Sequence, residues 1–181
     1  MTESAKDLAI AAEKDSASVR SDGSALARTI EGVVVRPATT HVDDRGELAE
    51  IFSPAWGVCA EPMVYAYQST VRPHKAKGWV VHREQYDRLF ISLGFLKIVL
   101  YDARPESATL GLIQEVYLSE RNRALVVIPP GVFHALLNVG ENDALFVNLP
   151  TRPYRHDAPD KFRLPLDTDQ IPYRLGERLG G

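Results

Sequence analysis

The sequence contains little sulfur, no long hydrophobic run and no strong bias toward charge of one sign. Its single cysteine, Cys59, excludes an internal disulfide and a cysteine-rich metal site. No stretch approaches the ~18 apolar residues that a membrane-spanning helix needs. The start of the chain also lacks the apolar core of a signal peptide. We therefore expect a cytoplasmic protein that does not bind a membrane.

The charge balance also argues against a polyanionic partner. The 21 basic and 24 acidic residues give a net charge of -3, and the sequence pI is near 6.0. Such a chain has no general attraction for nucleic acid, although a local basic patch could still hold a small anionic ligand. The 181 residues suit one domain. We predict a flexible N-terminal tail over residues 1–28, a single domain over 29–176 and a C-terminal tail over 177–181.

Short apolar segments, separated by turn residues at intervals of about ten, predict an all-β sandwich or barrel. The spacing of residues 87–93, Gly94 and 96–101 predicts a hairpin. A further short strand is expected over 48–52. Prolines recur after Leu149 and prevent long regular elements, which predicts a Pro-rich C-terminal wrap with a short helical piece near 160–162.

The stretch 127–138 is the centre of the functional interpretation. Pro129 and Pro130 cannot donate to a sheet, and Gly131 tolerates a positive φ, so the chain must turn there. A second strand follows. Because side chains alternate along a strand, His134 and Asn138 are expected on one face, with residues 133, 135 and 137 on the other. The sequence therefore directs one histidine to a defined side of a sheet.

This stretch resembles the second motif of a cupin barrel, and the whole chain resembles the dTDP-4-dehydrorhamnose 3,5-epimerase family from about residue 32 to 173. The matching residues are Asp43, Arg45, Gly46, Glu50, Gly94, Tyr101, Arg104, Ser107, Thr109, Gly111, Leu118, Ser119, Asn122, Pro129, Gly131, His134 and Asn138. The resemblance implies a homodimeric cupin jelly roll (double-stranded β-helix). It also implies a nucleotide-linked 4-keto sugar as substrate, and no metal or other cofactor. In this family a histidine base removes protons beside the ketone and a tyrosine acid returns one.

Three ionisable positions of the family are apolar in this alignment. The histidine base falls on Val80, the tyrosine acid near Val147 and a carboxylate on Ile98. His82 lies two residues beyond Val80 on the same strand face, so it could have inherited the role of base. Its candidate partners are Tyr86, Asp87 and Asp167.

We therefore predict His82 and His134 as catalytic residues. The resemblance also implies substrate contacts. Lys77 replaces an arginine that meets the diphosphate, Arg45 and Glu50 lie in a nucleotide-contacting strand, and Arg88 takes the place of a lysine that enters the sugar site. Positive side chains suit phosphate oxygens, and arginine offers them paired donors.

The leading hypothesis is an epimerase or isomerase that acts on a nucleoside-diphosphate 4-keto-6-deoxyhexose in deoxysugar or polysaccharide biosynthesis. One alternative is a non-catalytic cupin that binds a sugar or another small molecule. A second is a metal-dependent cupin oxygenase, because His82, Asp87 and His134 form a two-histidine, one-carboxylate set of the kind that holds iron(II).

Overall fold

The computed structural model describes residues 17–23, 26 and 28–175. This part of the chain forms strands and a single short 3-10 helix at Pro54–Trp56, and it contains no α-helix. The strands are β1 (Val34–Pro37), β2 (Thr40–Asp43), β3 (Gly46–Ala49), β4 (Tyr67–Val71), β5 (Ala76–Val81), β6 (Asp87–Leu93), β7 (Phe95–Asp102), β8 (Ile113–Ser119), β9 (Ala124–Ile128), β10 (Val132–Asn138), β11 (Ala144–Asn148) and β12 (Phe162–Arg163). No helix in the described residues is long and apolar enough to cross a membrane.

Ten of these strands form two antiparallel five-stranded sheets. The first sheet has the order β1-β9-β6-β11-β4, and the second has the order β12-β5-β10-β7-β8. Strands β2 and β3 form a separate hairpin. The main core contains residues of both sheets, among them Leu89 and Val126 from the first and Leu100 and Leu136 from the second. The predicted all-β jelly roll is confirmed, although hydrogen bonds do not join the two sheets into a closed barrel within the described residues.

The side chains of β10 alternate as the sequence predicts. Leu136 packs in the core between the sheets, whereas Ala135 packs in a second cluster on the outer side of the second sheet. His134 shares the inner face with Leu136. The preceding turn has Gly131 at φ 82°, as expected from its position after two prolines.

The predicted hairpin around Gly94 is wrong. Strand β6 pairs with β9 and β11, and β7 pairs with β10 and β8, so these consecutive strands belong to different sheets. Because β6 already pairs with a strand on each of its edges, it has no free edge with which β7 could pair. Gly94 instead carries the chain across to the second sheet at φ 82°.

Two shorter elements also differ from expectation. The strand predicted over 48–52 ends at Ala49, and the 3-10 turn at Pro54 follows it. Residues 162–163 form β12 rather than a helical piece, because they pair with the edge of β5. The predicted tails at 1–28 and 177–181 lie largely outside the described residues and stay predictions.

Candidate functional site

A cavity of about 380 Å³ lies between the two sheets and is lined by residues from six strands, β4, β5, β6, β10, β11 and β12. Its lining residues are Tyr67, Ser69, Ala76, Lys77, Gly78, Val80, His82, Asp87, Leu89, His134, Leu136, Phe146, Asn148, Lys161 and Arg163. Both histidines predicted as catalytic are in this set. The cavity therefore brings together residues that are as much as 96 positions apart in the sequence, from 67 to 163.

His82 and His134 share one carboxylate in the interior of the cavity. The Nε2 atom of each ring lies 3.3 Å from Oδ2 of Asp87. The two rings are stacked with their centroids 5.7 Å apart. The side chains of Asp87, His134 and His82 are only 4%, 6% and 11% exposed. We call these three residues the histidine–aspartate cluster.

The backbone fixes the orientation of His82 within this cluster. The ring nitrogen Nδ1 contacts the carbonyl oxygen of Asp160, which can only accept a hydrogen bond, so Nδ1 carries a proton. The carboxylate of Asp160 in turn accepts hydrogen bonds from the backbone N–H groups of Arg83 and Glu84, at 2.9 and 2.8 Å. Asp160 therefore holds both the ring of His82 and the backbone that directly follows it.

His134 is held by its strand and by the turn before it. The backbone N–H of Gly131 donates to the carbonyl of His82 at 2.8 Å, which ties the turn to the other histidine. The Nδ1 atom of His134 has only a 3.5 Å contact with the carbonyl of Val132. The motif residue Asn138 supports the strand from its far end by donating to the carbonyl of Val71 at 2.7 Å. His134 is thus the less tightly bound of the two rings.

The cluster is strongly charged. Burial alone would raise the pKa of Asp87, but hydrogen bonds from His134 and His82 hold that pKa far below its usual range. Gln85 adds a hydrogen bond from Nε2 to Oδ1 of Asp87 at 3.0 Å. Burial disfavours the charged form of His82, yet its bond to Asp87 outweighs this effect and raises the pKa of His82. A carboxylate anion facing positive imidazole is the favoured state.

The first sheet also contributes to the cavity a tyrosine that the sequence interpretation missed. Tyr67, on the edge strand β4, accepts a hydrogen bond at its hydroxyl from Nδ2 of Asn148 at 3.0 Å. Burial raises the pKa of Tyr67, and the nearby charge of Asp87 raises it further. Alternation along β11 places Asn148 on the inner face with Phe146, whereas Val147 lies on the other face.

Three basic residues converge on the cavity. Lys77 comes from β5, Lys161 precedes β12 and Arg163 ends β12. Nζ of Lys77 donates to the hydroxyl of Ser69 at 2.7 Å. Burial lowers the pKa of Lys161, and the positive charge of Arg163 lowers it further. This basic group is the place where a small anion would be attracted.

Three of the predicted substrate-binding residues are not brought to this cavity. Arg88 lies on the other face of β6 from Asp87 and is fully buried. Its guanidinium donates to the carbonyl groups of Glu61 and Leu149, among others, at 2.9 and 2.6 Å. Because side chains alternate along β6, the inward position belongs to Asp87 rather than Arg88. Arg45 pairs with Asp43 at 2.6 Å in the β2–β3 hairpin, and Glu50 is exposed just after that hairpin.

The histidine–aspartate cluster also has the composition of a metal-ligand set. One ligand atom from each of His82, Asp87 and His134 lies within 4.8 Å of the other two. Two histidines and one carboxylate suit a divalent transition metal. The carbonyl contact at Nδ1 of His82 is of the kind that orients a ligating histidine. Proton transfer and metal binding are therefore both within the chemistry of these side chains.

Comparison with known proteins gives the relationship of this chain to others. The family model of dTDP-4-dehydrorhamnose 3,5-epimerase matches residues 27–171. The chain belongs to this family. The spore coat polysaccharide biosynthesis protein SpsL of Bacillus subtilis is 34% identical over 142 residues, which are 78% of this chain and 93% of SpsL. The probable low-salt glycan biosynthesis epimerase Agl13 of Haloferax volcanii is 31% identical over 139 residues, 76% of this chain and 89% of Agl13.

A solved structure shares the same architecture. The dTDP sugar isomerase from Desulfovibrio desulfuricans G20 superposes with a TM-score of 0.74 at 26% identity, covering 80% of this chain and 90% of that one. The cupin jelly roll expected from the sequence is thus confirmed in an epimerase-family member whose cavity contains the histidine–aspartate cluster.

Proposed function

We propose that this epimerase-family protein exchanges protons at a carbon beside the ketone of a nucleoside-diphosphate 4-keto-6-deoxyhexose. The observation that carries the proposal is the pair of histidines sharing the buried carboxylate of Asp87 in a cavity with three basic residues. The relatives named above as epimerase, sugar isomerase and polysaccharide biosynthesis protein support this class of substrate. We further propose a cytoplasmic homodimer in deoxysugar or polysaccharide biosynthesis that needs no cofactor.

The chemistry begins at an acidified C–H bond. A ketone makes the neighbouring C–H bond acidic because the electron pair left behind is delocalised onto the ketone oxygen as an enolate. We assign His134 as the base, since its Nδ1 atom is less firmly held than that of His82. His82 keeps positive charge in the cavity, where it stabilises the developing enolate. Asp87 orients both rings.

The diphosphate would be held by the basic residues at the cavity. Lys77, Lys161 and Arg163 supply positive charge and hydrogen-bond donors that suit phosphate oxygens. Binding energy from this remote part of the substrate positions the sugar ring for proton transfer. Arg45, Glu50 and Arg88 stay predicted substrate contacts, and the position of Arg88 favours a structural role instead.

The test is incubation with a dTDP-4-keto-6-deoxyhexose in deuterated water, followed by NMR. The wild-type protein is expected to place solvent deuterium at a carbon next to the ketone. His134→Gln is expected to lower the exchange rate by about 100-fold or more, in line with the usual contribution of a general base. His74→Gln is the matched control, because His74 is an exposed histidine paired with Glu141 outside the cavity. Tight substrate binding by the wild type without exchange would instead assign a non-catalytic binding protein.

A metal-dependent cupin reaction is the second candidate, favoured by the ligand-like spacing of His82, Asp87 and His134. It predicts close to one equivalent of a transition metal in protein prepared without a tag or chelator. Elemental analysis decides between the two candidates: a metal-free preparation that still exchanges deuterium excludes the second.

A further inference from the structure

Inversion at carbon needs two proton-transfer groups. One group removes the proton from one face of the carbon, and another must supply a proton to the opposite face. The histidine–aspartate cluster provides the first group. His82 directly follows β5 and His134 lies on β10, so both rings project from the second sheet. A proton donor on the first sheet would lie across the cavity from these two rings.

Tyr67 meets this condition. It lies on β4 of the first sheet and lines the same cavity as both histidines. The register of β11 and β4 pairs Tyr67 directly with Asn148. Tyr67 thus lines the cavity from the first sheet, whereas both histidine rings come from the second, and a sugar ring bound between the sheets would lie between them.

The hydrogen bonds around Asn148 determine where the hydroxyl proton of Tyr67 can go. The backbone N–H of Arg88 donates to Oδ1 of Asn148 at 3.1 Å, so the amide nitrogen Nδ2 must face the tyrosine. That nitrogen donates to the hydroxyl oxygen of Tyr67 at 3.0 Å. Asn148 is only 1% exposed, which keeps this orientation fixed. The tyrosine oxygen thus accepts from the protein, and its own proton is available to a ligand.

We propose that Tyr67 is a catalytic residue that gives a proton to the face of the enolate opposite the histidine–aspartate cluster. This inference rests on the proposed function. In the step, the O–H bond of Tyr67 breaks and a C–H bond forms with the electron pair of the enolate. The ketone is restored, the tyrosinate regains a proton from water, and His134 releases to water the proton that it removed. The step is redox-neutral and needs no other reactant.

The surroundings of Tyr67 keep it ready to donate. Burial and the nearby carboxylate of Asp87 raise its pKa, so the hydroxyl remains protonated at neutral pH. Besides the histidines, the lysines are the other candidate proton donors among the cavity residues. Nζ of Lys77 is directed to Ser69 at 2.7 Å, and Lys161 lies beside Arg163 in the basic group assigned to the diphosphate.

The test separates proton removal from inversion by comparing Tyr67→Phe with the wild type in deuterated water. We expect Tyr67→Phe to retain deuterium exchange into recovered substrate within about threefold, while formation of the epimer falls by about 100-fold or more. Binding of dTDP, measured by calorimetry, should be unchanged and shows that the variant is folded. Tyr65→Phe is the matched control, because its ring lies 5.9 Å from that of Tyr67 but does not line this cavity.

Each other outcome overturns the inference. Epimer formation by Tyr67→Phe at the wild-type rate would remove its catalytic role. An equal fall in exchange and epimer formation would assign Tyr67 to the removal step or to the structure of the site. If Lys161→Gln retained deuterium exchange but lost epimer formation, and Tyr67→Phe kept both, the proton donor would be Lys161. Absence of exchange in the wild type would reject the proposed function itself and this inference with it.

Discussion

Replacement of Asp87 by asparagine tests whether the histidine–aspartate cluster is a charged unit. The substitution preserves the size of the side chain but removes its negative charge and gives it an N–H donor. In the wild type, Oδ2 of Asp87 faces Nε2 of His82 and of His134 at 3.3 Å, and Oδ1 accepts from Gln85. Asp87→Asn therefore leaves two ring nitrogens without an anionic acceptor in a buried position.

The expected cost follows from these contacts. A hydrogen bond to a charged group contributes about 1.5–3 kcal/mol and a neutral one about 0.5–1.5 kcal/mol, so weakening two of them costs about 2–3 kcal/mol. Removing one partner of a buried ion pair costs about 3–5 kcal/mol, and the two ranges meet at about 3 kcal/mol. In a chain of this size, a loss of about 3 kcal/mol lowers Tm by about 6–12 °C.

Urea denaturation at pH 7, followed by circular dichroism, measures this change in the free energy of unfolding. The midpoint should fall while the denaturant slope stays constant. Asp157→Asn is the control, because Asp157 is an exposed aspartate, and its midpoint should not move. A loss below about 0.5 kcal/mol for Asp87→Asn, within the range of ordinary surface substitutions, would refute the charged cluster.

Three further predictions follow from other parts of the structure. The pKa of Asp102 is held low: burial opposes this shift, but hydrogen bonds from Arg104, Ser107 and Thr109 outweigh it. Its contribution to stability is therefore present above the unfolded pKa of about 3.9 and lost as the pH falls toward the folded pKa, so Asp102→Asn should flatten the acid side of a stability–pH curve. Lys161→Gln should raise KM for the sugar nucleotide more than it lowers kcat, measured by steady-state kinetics, because the residue is assigned to the diphosphate. Gly94→Ala should lower the free energy of unfolding by about 3 kcal/mol, measured by urea denaturation. Gly94 has a φ of 82°, and an added Cβ would lie 2.6 Å from Cα of Ala144.

The sequence predicted the parts of the fold that depend on local pattern. The proline–proline–glycine turn and the alternation after it correctly placed His134 on the inner face of its strand. Alternation likewise placed His82 beside Val80, and both line the cavity. Local patterns do not specify which strands pair. The sequence therefore predicted a hairpin at Gly94, where the chain crosses between sheets.

The missed residues have identifiable causes. The resemblance assigned Arg88 to the sugar site, but its neighbour Asp87 is the residue that faces inward. In a strand, a shift of one position reverses the face. Asn148 was missed for the same reason, because the resemblance pointed to Val147, one position away. Lys161 and Arg163 were missed because the sequence predicted a short helical piece near 160–162. The structure instead has the two-residue strand β12 on the edge of β5, which brings both residues to the cavity. Tyr67 belongs to no recognised motif. Its position in the cavity with the histidines depends on the pairing of β4 with β11, which the sequence does not reveal.

We propose that a keto sugar nucleotide binds with its ring between the two sheets. A crystal structure with a bound dTDP-hexose would show this binding site. We expect the sugar ring between Tyr67 and the rings of His82 and His134, with the diphosphate at Lys77, Lys161 and Arg163. A nucleotide sugar bound elsewhere on the protein, with this cavity excluded from contact, would contradict it.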